Sequence, residues 1–397
     1  MMTKNGLYRT RTAISAFYFT AGLIFASWAT RIPDIKQQLG LSDGDLGTVL
    51  FAIPAGQLTM MALSGYLVTR FGSRITLMLS TAAYAVILML IPFSYNFGTL
   101  FIALFLFGTA ANMVNIALNT QACALEGIYG RNIMSSFHGL WSLGGLFGGI
   151  AGVLFVRLGC SIPVHYAGVI LICFCLVAIG GRHLIAGESR TQSKSETGGI
   201  SFSKLDRGII LLGLIGFGGM FCEGTLFDWS GVYFATVVRP DESLVRAGYI
   251  AGMGAMTLGR FFADGFVTRY QASTVLKLSG LSITSGLLLA VLFPHLLAAT
   301  LGFLLVGVGI SSIVPICYSM AGRQKNIPAS IAITVVSSVS FIGFMIGPPL
   351  IGLLSEVSNL RIALGAASLF GLFVVLLSGG VNRRVAQHKF VNQATTK

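Results

Sequence analysis

Charge is what this sequence has least of. Only 10% of its 397 residues are Asp, Glu, Lys or Arg, whereas a soluble domain carries about 25%. That scarcity excludes an ordinary water-soluble domain and points to a membrane protein. The phosphate-cradling G-x-x-x-x-G-K-[ST] loop is also missing, which argues against ATP-driven transport by this chain alone. Cys123, Cys160, Cys173, Cys175, Cys222 and Cys317 show no metal-ligand spacing, and Cys173 and Cys175, two apart, point to different faces of a helix. They read as packing residues. The basic start and the apolar run Ala13 to Thr30 lack a small-residue cleavage site, so the run reads as an uncleaved first helix, not a signal peptide. Short alternating segments of about ten residues, the mark of a membrane β-barrel, are not seen.

Long apolar runs are what is there. Hydrophobic residues make up 54% of the chain, and a hydrocarbon core of roughly 30 Å needs about 20 of them per helix. Twelve such runs are predicted as spans, at 12–31, 46–68, 75–93, 99–121, 133–156, 163–181, 208–231, 247–267, 274–293, 297–319, 329–354 and 361–380. The expected fold is an all-α membrane protein of twelve transmembrane helices.

The net charge of +13 invites a nucleic-acid reading until its distribution is examined. With the N-terminus inside, nineteen Lys and Arg fall on the cytoplasmic side, among them Arg70, Arg74 and Arg269. Six fall outside (Arg31, Lys36, Arg157, Arg239, Arg246, Arg361), and Arg260 lies within a span. Positive residues stay inside, so both termini are expected in the cytoplasm and no nucleic-acid partner is needed. Anionic membrane lipids are the natural partners of that basic face.

The polar stretch 182–207, with GESRTQSKSETGG at its centre, reads as a cytoplasmic linker between six helices (1–181) and six more with a tail (208–397). A repeat supports the division. At an offset of 199 residues Val68-Thr69-Arg70-Phe71 falls on Val267-Thr268-Arg269-Tyr270, Gly108 on Gly307, and Gly144 and Gly148 on Gly343 and Gly347. With slight slippage GLIFASW at 22–28 aligns with GTLFDW at 224–229, making the first and seventh spans counterparts. Two pseudo-symmetric six-helix bundles are a transporter architecture, with the site near the midplane.

GYLVTRFGSR at 65–74 resembles the major facilitator superfamily signature G-x-L-x-D-R-x-G-R-R. Gly65, Leu67, Arg70, Gly72 and Arg74 match it, but Thr69 stands for the Asp and Ser73 for an Arg, so the signature's interlocking charge is missing here. ASWATRIPDIK at 26–36, IALNTQA at 116–122, MSSFHGLWSLGG at 134–145, EGTLFDWS at 223–230, GRFFADGFVTRY at 259–270 and GPPLIGLLSE at 347–356 together look like the YbjJ-like bacterial inner-membrane branch near the fucose permease group. The resemblance covers nearly the whole chain. It implies the major facilitator fold, a secondary transporter and residence in a bacterial inner membrane, but no substrate.

Polar residues at membrane depth supply the candidate site. At a rise of 1.5 Å per residue Glu223 lies roughly 22 Å into the seventh span and Asp228 roughly 30 Å, about 140° apart around the helix. They are not a paired dyad. Glu223 is read as a proton-coupling or substrate carboxylate, against a static buried ion pair. Asp228 is read as a solvated or gate-pairing residue. Arg31 either faces the cavity and pairs with Glu223 or Asp228, or snorkels to the headgroups. Arg260 and Asp264, at i,i+4, form a local pair, or Asp264 joins an inner gate with Arg70, Arg74 and Arg269 and leaves Arg260 to an anionic group. Asn112, Asn115 and Asn119 make a polar stripe on the fourth span, which either glues helices or lines a hydrated cavity. His138 enters at a similar depth, and Trp28, Trp141 and Trp229 offer an aromatic platform for a polyhydroxy solute, or interfacial anchors. Pro348 and Pro349 are expected to bend the eleventh span.

These residues suit a proton-coupled secondary transporter of a small polar solute, such as a sugar, working by alternating access as a monomer, with no cofactor beyond the proton gradient. Efflux of amphipathic compounds by antiport is the alternative, weakened because the helix-five stretch lacks the proline of G-P-x-x-G-G. A sensor that binds without translocating is another. An enzyme using His138 finds no nucleophile and carboxylate to accompany it.

Overall fold

The computed structural model describes residues 4–129, 133–186, 207–322 and 329–394. The central part of the expected linker and the side chains of Asp264 and Arg269 lie outside the described residues. Fourteen α-helices follow in order: α1 (Lys4–Ala29), α2 (Ile32–Leu39), α3 (Asp43–Leu50), α4 (Ala52–Phe71), α5 (Ser73–Leu88), α6 (Phe97–Tyr129), α7 (Met134–Arg157), α8 (Ile162–Gly180), α9 (Arg207–Tyr233), α10 (Ala247–Arg269), α11 (Ala272–Leu292), α12 (Leu296–Gly322), α13 (Ala329–Val357) and α14 (Leu360–Ala394). All but the eight-residue α2 and α3 correspond to the twelve expected spans. Among the described residues ten stretches are long and apolar enough to cross a membrane, and an eleventh is the bent pair Asp43–Met61 and Leu63–Phe71. In α10, Arg260, Asp264 and Arg269 dilute the apolar run.

Local chemistry explains the breaks. Gly40 ends α2 in the left-handed region at φ 61°, where a side chain would be strained. The Ser42 hydroxyl then accepts the Asp45 amide at 3.1 Å and caps α3. Glu126 Oε2 accepts the amides of Ile133 and Met134, each at 2.9 Å, placing a carboxylate at the positive start of α7. Hydroxyls inside the helices bond their own preceding turn, as Ser27 does to the Leu23 carbonyl and Thr225 to the Phe221 carbonyl. Pro348 and Pro349 lie within α13, which continues through them.

The chain forms two compact units, Met1–Glu196 with Asp241–Arg246, and Thr197–Pro240 with Ala247–Lys397. The hexapeptide Asp241–Arg246, placed by sequence in the second bundle, groups with the first because Arg246 is bonded there. In the first unit α1 packs on α7 and α8, and α6 on α4 and α5; in the second α9 packs on α13, and α12 on α10 and α11. Large apolar side chains such as Leu79, Ile179, Leu297 and Leu376 are left exposed, as a lipid-facing surface requires.

The repeat is visible in the closest helix crossings. A Cβ on Gly108 would stand 2.0 Å from the Ile53 carbonyl oxygen, and one on Gly307 2.1 Å from that of Gly252. Both members move by 199 residues, from 108 to 307 and from 53 to 252. Likewise Gly144 meets the Phe19 carbonyl at 2.1 Å and Gly343 the Phe217 carbonyl at 2.2 Å. Each unit therefore uses glycine at the same two crossings to bring backbones together.

Candidate functional site

The first unit gathers its polar residues on α1, α6 and α7. The Tyr18 hydroxyl donates to Asn119 Oδ1 at 2.6 Å, and Asn119 Nδ2 donates in turn to Asn115 Oδ1. Asn115 is exposed although it sits near the middle of the 33-residue α6. Around this chain the Tyr18 ring stacks on Phe137 at 5.3 Å and meets His138 edge-on at 5.5 Å. His138 is itself exposed, and half-buried Trp141 lies 5.8 Å from Phe25. Asn112 divides from its neighbours on the stripe, accepting from the Ser64 hydroxyl at 2.9 Å and gluing α6 to α4. Asn112 therefore serves the expected use of gluing helices.

A second cluster in this unit is ionic and closed. Arg31 donates through Nε to His165 Nδ1 (3.2 Å), through Nη1 to Asp34 (3.1 Å) and through Nη2 to the Cys160 carbonyl (3.3 Å). Arg246, only 1% exposed, donates to the Thr30 carbonyl at 2.9 Å and pairs with the same Asp34 oxygen. Two guanidiniums share one carboxylate, and the carbonyls following α1 and α7 offset the remaining charge. Sequence reasoning pairs Arg31 with Glu223 or Asp228 when the outer side is closed; in this structure each of its three guanidinium nitrogens bonds a partner in its own unit. Buried Arg31 also does not snorkel.

In the second unit the two acids of α9 separate. Glu223 Oε1 pairs with Arg260 Nη2 of α10 at 2.9 Å, and Tyr318 of α12 lies within its electrostatic reach. Arg260 thus finds its carboxylate on another helix; the local pair with Asp264 involves a side chain outside the described residues. Asp228 is 6% exposed. Among the described residues it makes no hydrogen bond or ion pair, so the expected solvation is corrected. The reason is length: α9 runs to Tyr233 and continues as a π-helical turn to Val238, leaving Asp228 inside the bundle. Tyr249 of α10 is within electrostatic reach of Asp228, and its buried hydroxyl has no partner.

Trp28 and Trp229 are completely buried with unpartnered indole N–H groups, which rules out interfacial anchoring. Of the gate candidates, Arg70 is exposed and donates to the Tyr66 hydroxyl at 2.7 Å, while Arg74 is half-buried. Asp264 and Arg269 belong to α10, but their side chains are outside the described residues. Among the described residues no three His, Cys, Asp or Glu side chains gather to hold a metal. Tyr18, Asp34, His165, Arg246 and Tyr249 were not singled out from sequence. A tyrosine one turn from helix-facing glycine, or an Arg in a loop, carries no local signal of its partner.

Ten or eleven membrane-crossing stretches among the described residues, a doubled helix pattern and polar groups at membrane depth define a polytopic membrane carrier. Comparisons narrow the class. The Major Facilitator Superfamily model matches residues 14–327, and the chain belongs to that superfamily. It is 32% identical to an uncharacterised MFS-type transporter of Yersinia pestis over 92% of this chain and 94% of that one. It is 30% identical to membrane protein MosC of Rhizobium meliloti over 93% and 88%. Among solved structures, the nucleoside transporter NupG aligns with TM-score 0.80 at 12% identity, covering 94% of this chain and 99% of that one. The Escherichia coli fucose:proton symporter FucP aligns with TM-score 0.59 at 16% identity, over 93% and 98%. At such identities these structures speak for the fold. The protein is a transporter and not an enzyme.

Proposed function

We propose that this protein is a secondary active transporter that moves a small polar solute, a sugar or related metabolite, by alternating access and at the expense of the proton gradient. The observation that carries the reading is the relay Tyr18–Asn119–Asn115, ending on an exposed amide. Asn115 lies eighteen residues into α6, roughly 27 Å along it, where an amide facing hydrocarbon would cost several kcal/mol. Such a group belongs on a water-accessible face. Amides, an imidazole and the Trp141 ring offer directed hydrogen bonds beside a flat apolar surface, the needs of a polyhydroxy ligand. The nucleoside and fucose carriers of like fold move solutes of that chemistry, as their names state.

Residence in a bacterial inner membrane as a monomer completes the proposal, and the asymmetry of Lys and Arg supports cytoplasmic termini. Flux of sugars, nucleosides and other polar metabolites into proteoliposomes tests it. Uptake should saturate and should fall at least tenfold in Asn115→Ala and His138→Ala. Undiminished uptake in both variants would remove the relay from the pathway.

A further inference from the structure

Two carboxylates on α9 lie five residues apart, yet only one has a partner. Glu223 is neutralised by Arg260 at 2.9 Å, and both side chains are largely buried. Asp228 is equally buried but forms no ion pair or hydrogen bond among the described residues. Among the described residues, the neighbouring helices α10, α12, α13 and α14 contribute no ion-pair partner to it. Tyr249 of α10, 1% exposed and with its hydroxyl unbonded, lies within electrostatic reach of it. An acceptor without a donor and a donor without an acceptor thus lie within electrostatic reach of each other. A lone carboxylate at membrane depth is expensive and marks function by default.

We infer that Asp228, with the Tyr249 hydroxyl beside it, is where the coupling proton binds, and that Glu223–Arg260 is a fixed ion pair. This rests on the coupled-transport reading above. Proton uptake forms an O–H bond on a carboxyl oxygen of Asp228 and abolishes its uncompensated charge; release restores the carboxylate, which Tyr249 can then stabilise by donating its hydroxyl proton as a hydrogen bond. The step involves no redox change and no third reactant. A metal cation fits less well. Calcium takes about six or more oxygen ligands, whereas no three His, Cys, Asp or Glu side chains gather around Asp228 among the described residues, and Ser230, two residues on, points to another side of α9. Glu223 is the remaining acid nearby, on the same helix, and its charge is already matched.

The decisive experiment needs no solute. Infrared spectra of the full-length protein in liposomes are recorded across a pH series, for wild type, Asp228→Asn, Asp228→Glu, Tyr249→Phe and Glu223→Gln. The wild type should show a carboxylic-acid carbonyl band that appears on acidification. Asp228→Asn should lose that band, Asp228→Glu should keep it, Tyr249→Phe should shift it, and Glu223→Gln should leave it unchanged. Loss of the band in Glu223→Gln, its persistence in Asp228→Asn, or dependence on sodium concentration instead of pH would overturn the assignment. Because the readout is protonation and not flux, it fails or succeeds separately from the transport proposal.

Discussion

The ionic cluster around half-buried Asp34 and the surroundings of buried Asp228 both contain a carboxylate, but they differ in how the charge is met. Asp34 has two guanidiniums, and those guanidiniums have three backbone carbonyls and an imidazole between them. Asp228 has an unbonded phenol. A buried guanidinium met by a carboxylate and backbone carbonyls explains itself as structure, since losing one member leaves another uncompensated. A buried carboxylate without a counter-charge does not, and its persistence in the fold asks for a chemical role. Glu223 falls on the structural side of this division.

The sharpest way to break the comparison is to remove a member of the closed cluster. Arg246→Ala should cost about 3–5 kcal/mol, because it strips a buried guanidinium from Asp34 and from the Thr30 carbonyl. Thermal unfolding in detergent would read this as a large downward shift. An unchanged midpoint would mean that the cluster is not structural.

Next in size are the paired glycine crossings. Gly144→Ala and Gly343→Ala each drive a Cβ against a backbone carbonyl, at 2.1 and 2.2 Å, and should each cost about 2 kcal/mol. Gly347→Ala meets nothing nearer than 3.4 Å and should stay within about 0.5 kcal/mol. Unequal losses at 144 and 343 would show that the two units do not share their packing as closely as the backbone implies.

The two acids of α9 give the clearest contrast, and one of them the smallest effect. Glu223→Gln leaves Arg260 without its carboxylate and should cost about 2 kcal/mol. Asp228→Asn removes no hydrogen bond or ion pair and should change stability by less than about 0.5 kcal/mol. The reverse ranking, measured in the same unfolding assay, would dissolve the distinction between them.

The long helices were legible because a span announces itself through twenty consecutive apolar residues, and the repeat because glycine at a backbone crossing cannot be replaced without steric cost. Within α9 the sequence stopped the helix at 231, and the seven further residues to Val238 turn Asp228 from an edge residue into an interior one. Ion-pair partners were the least legible. Arg246 and Asp34 are 212 residues apart and Arg260 and Glu223 37 apart, so nothing in the local spacing announces either pair. Spacing instead favoured Arg260 with Asp264, whose i,i+4 relation is a property of any helix. The relay from Tyr18 to Asn115 was half legible: the asparagines share a face, but their link to α1 depends on tertiary packing.

Accumulation of sugars, nucleosides and polar metabolites in proteoliposomes under an imposed pH gradient tests the account most directly. Uphill uptake that collapses when a protonophore is added, and that Asn115→Ala abolishes, is the predicted result. Tight binding without counterflow, or flux indifferent to the gradient, would contradict it.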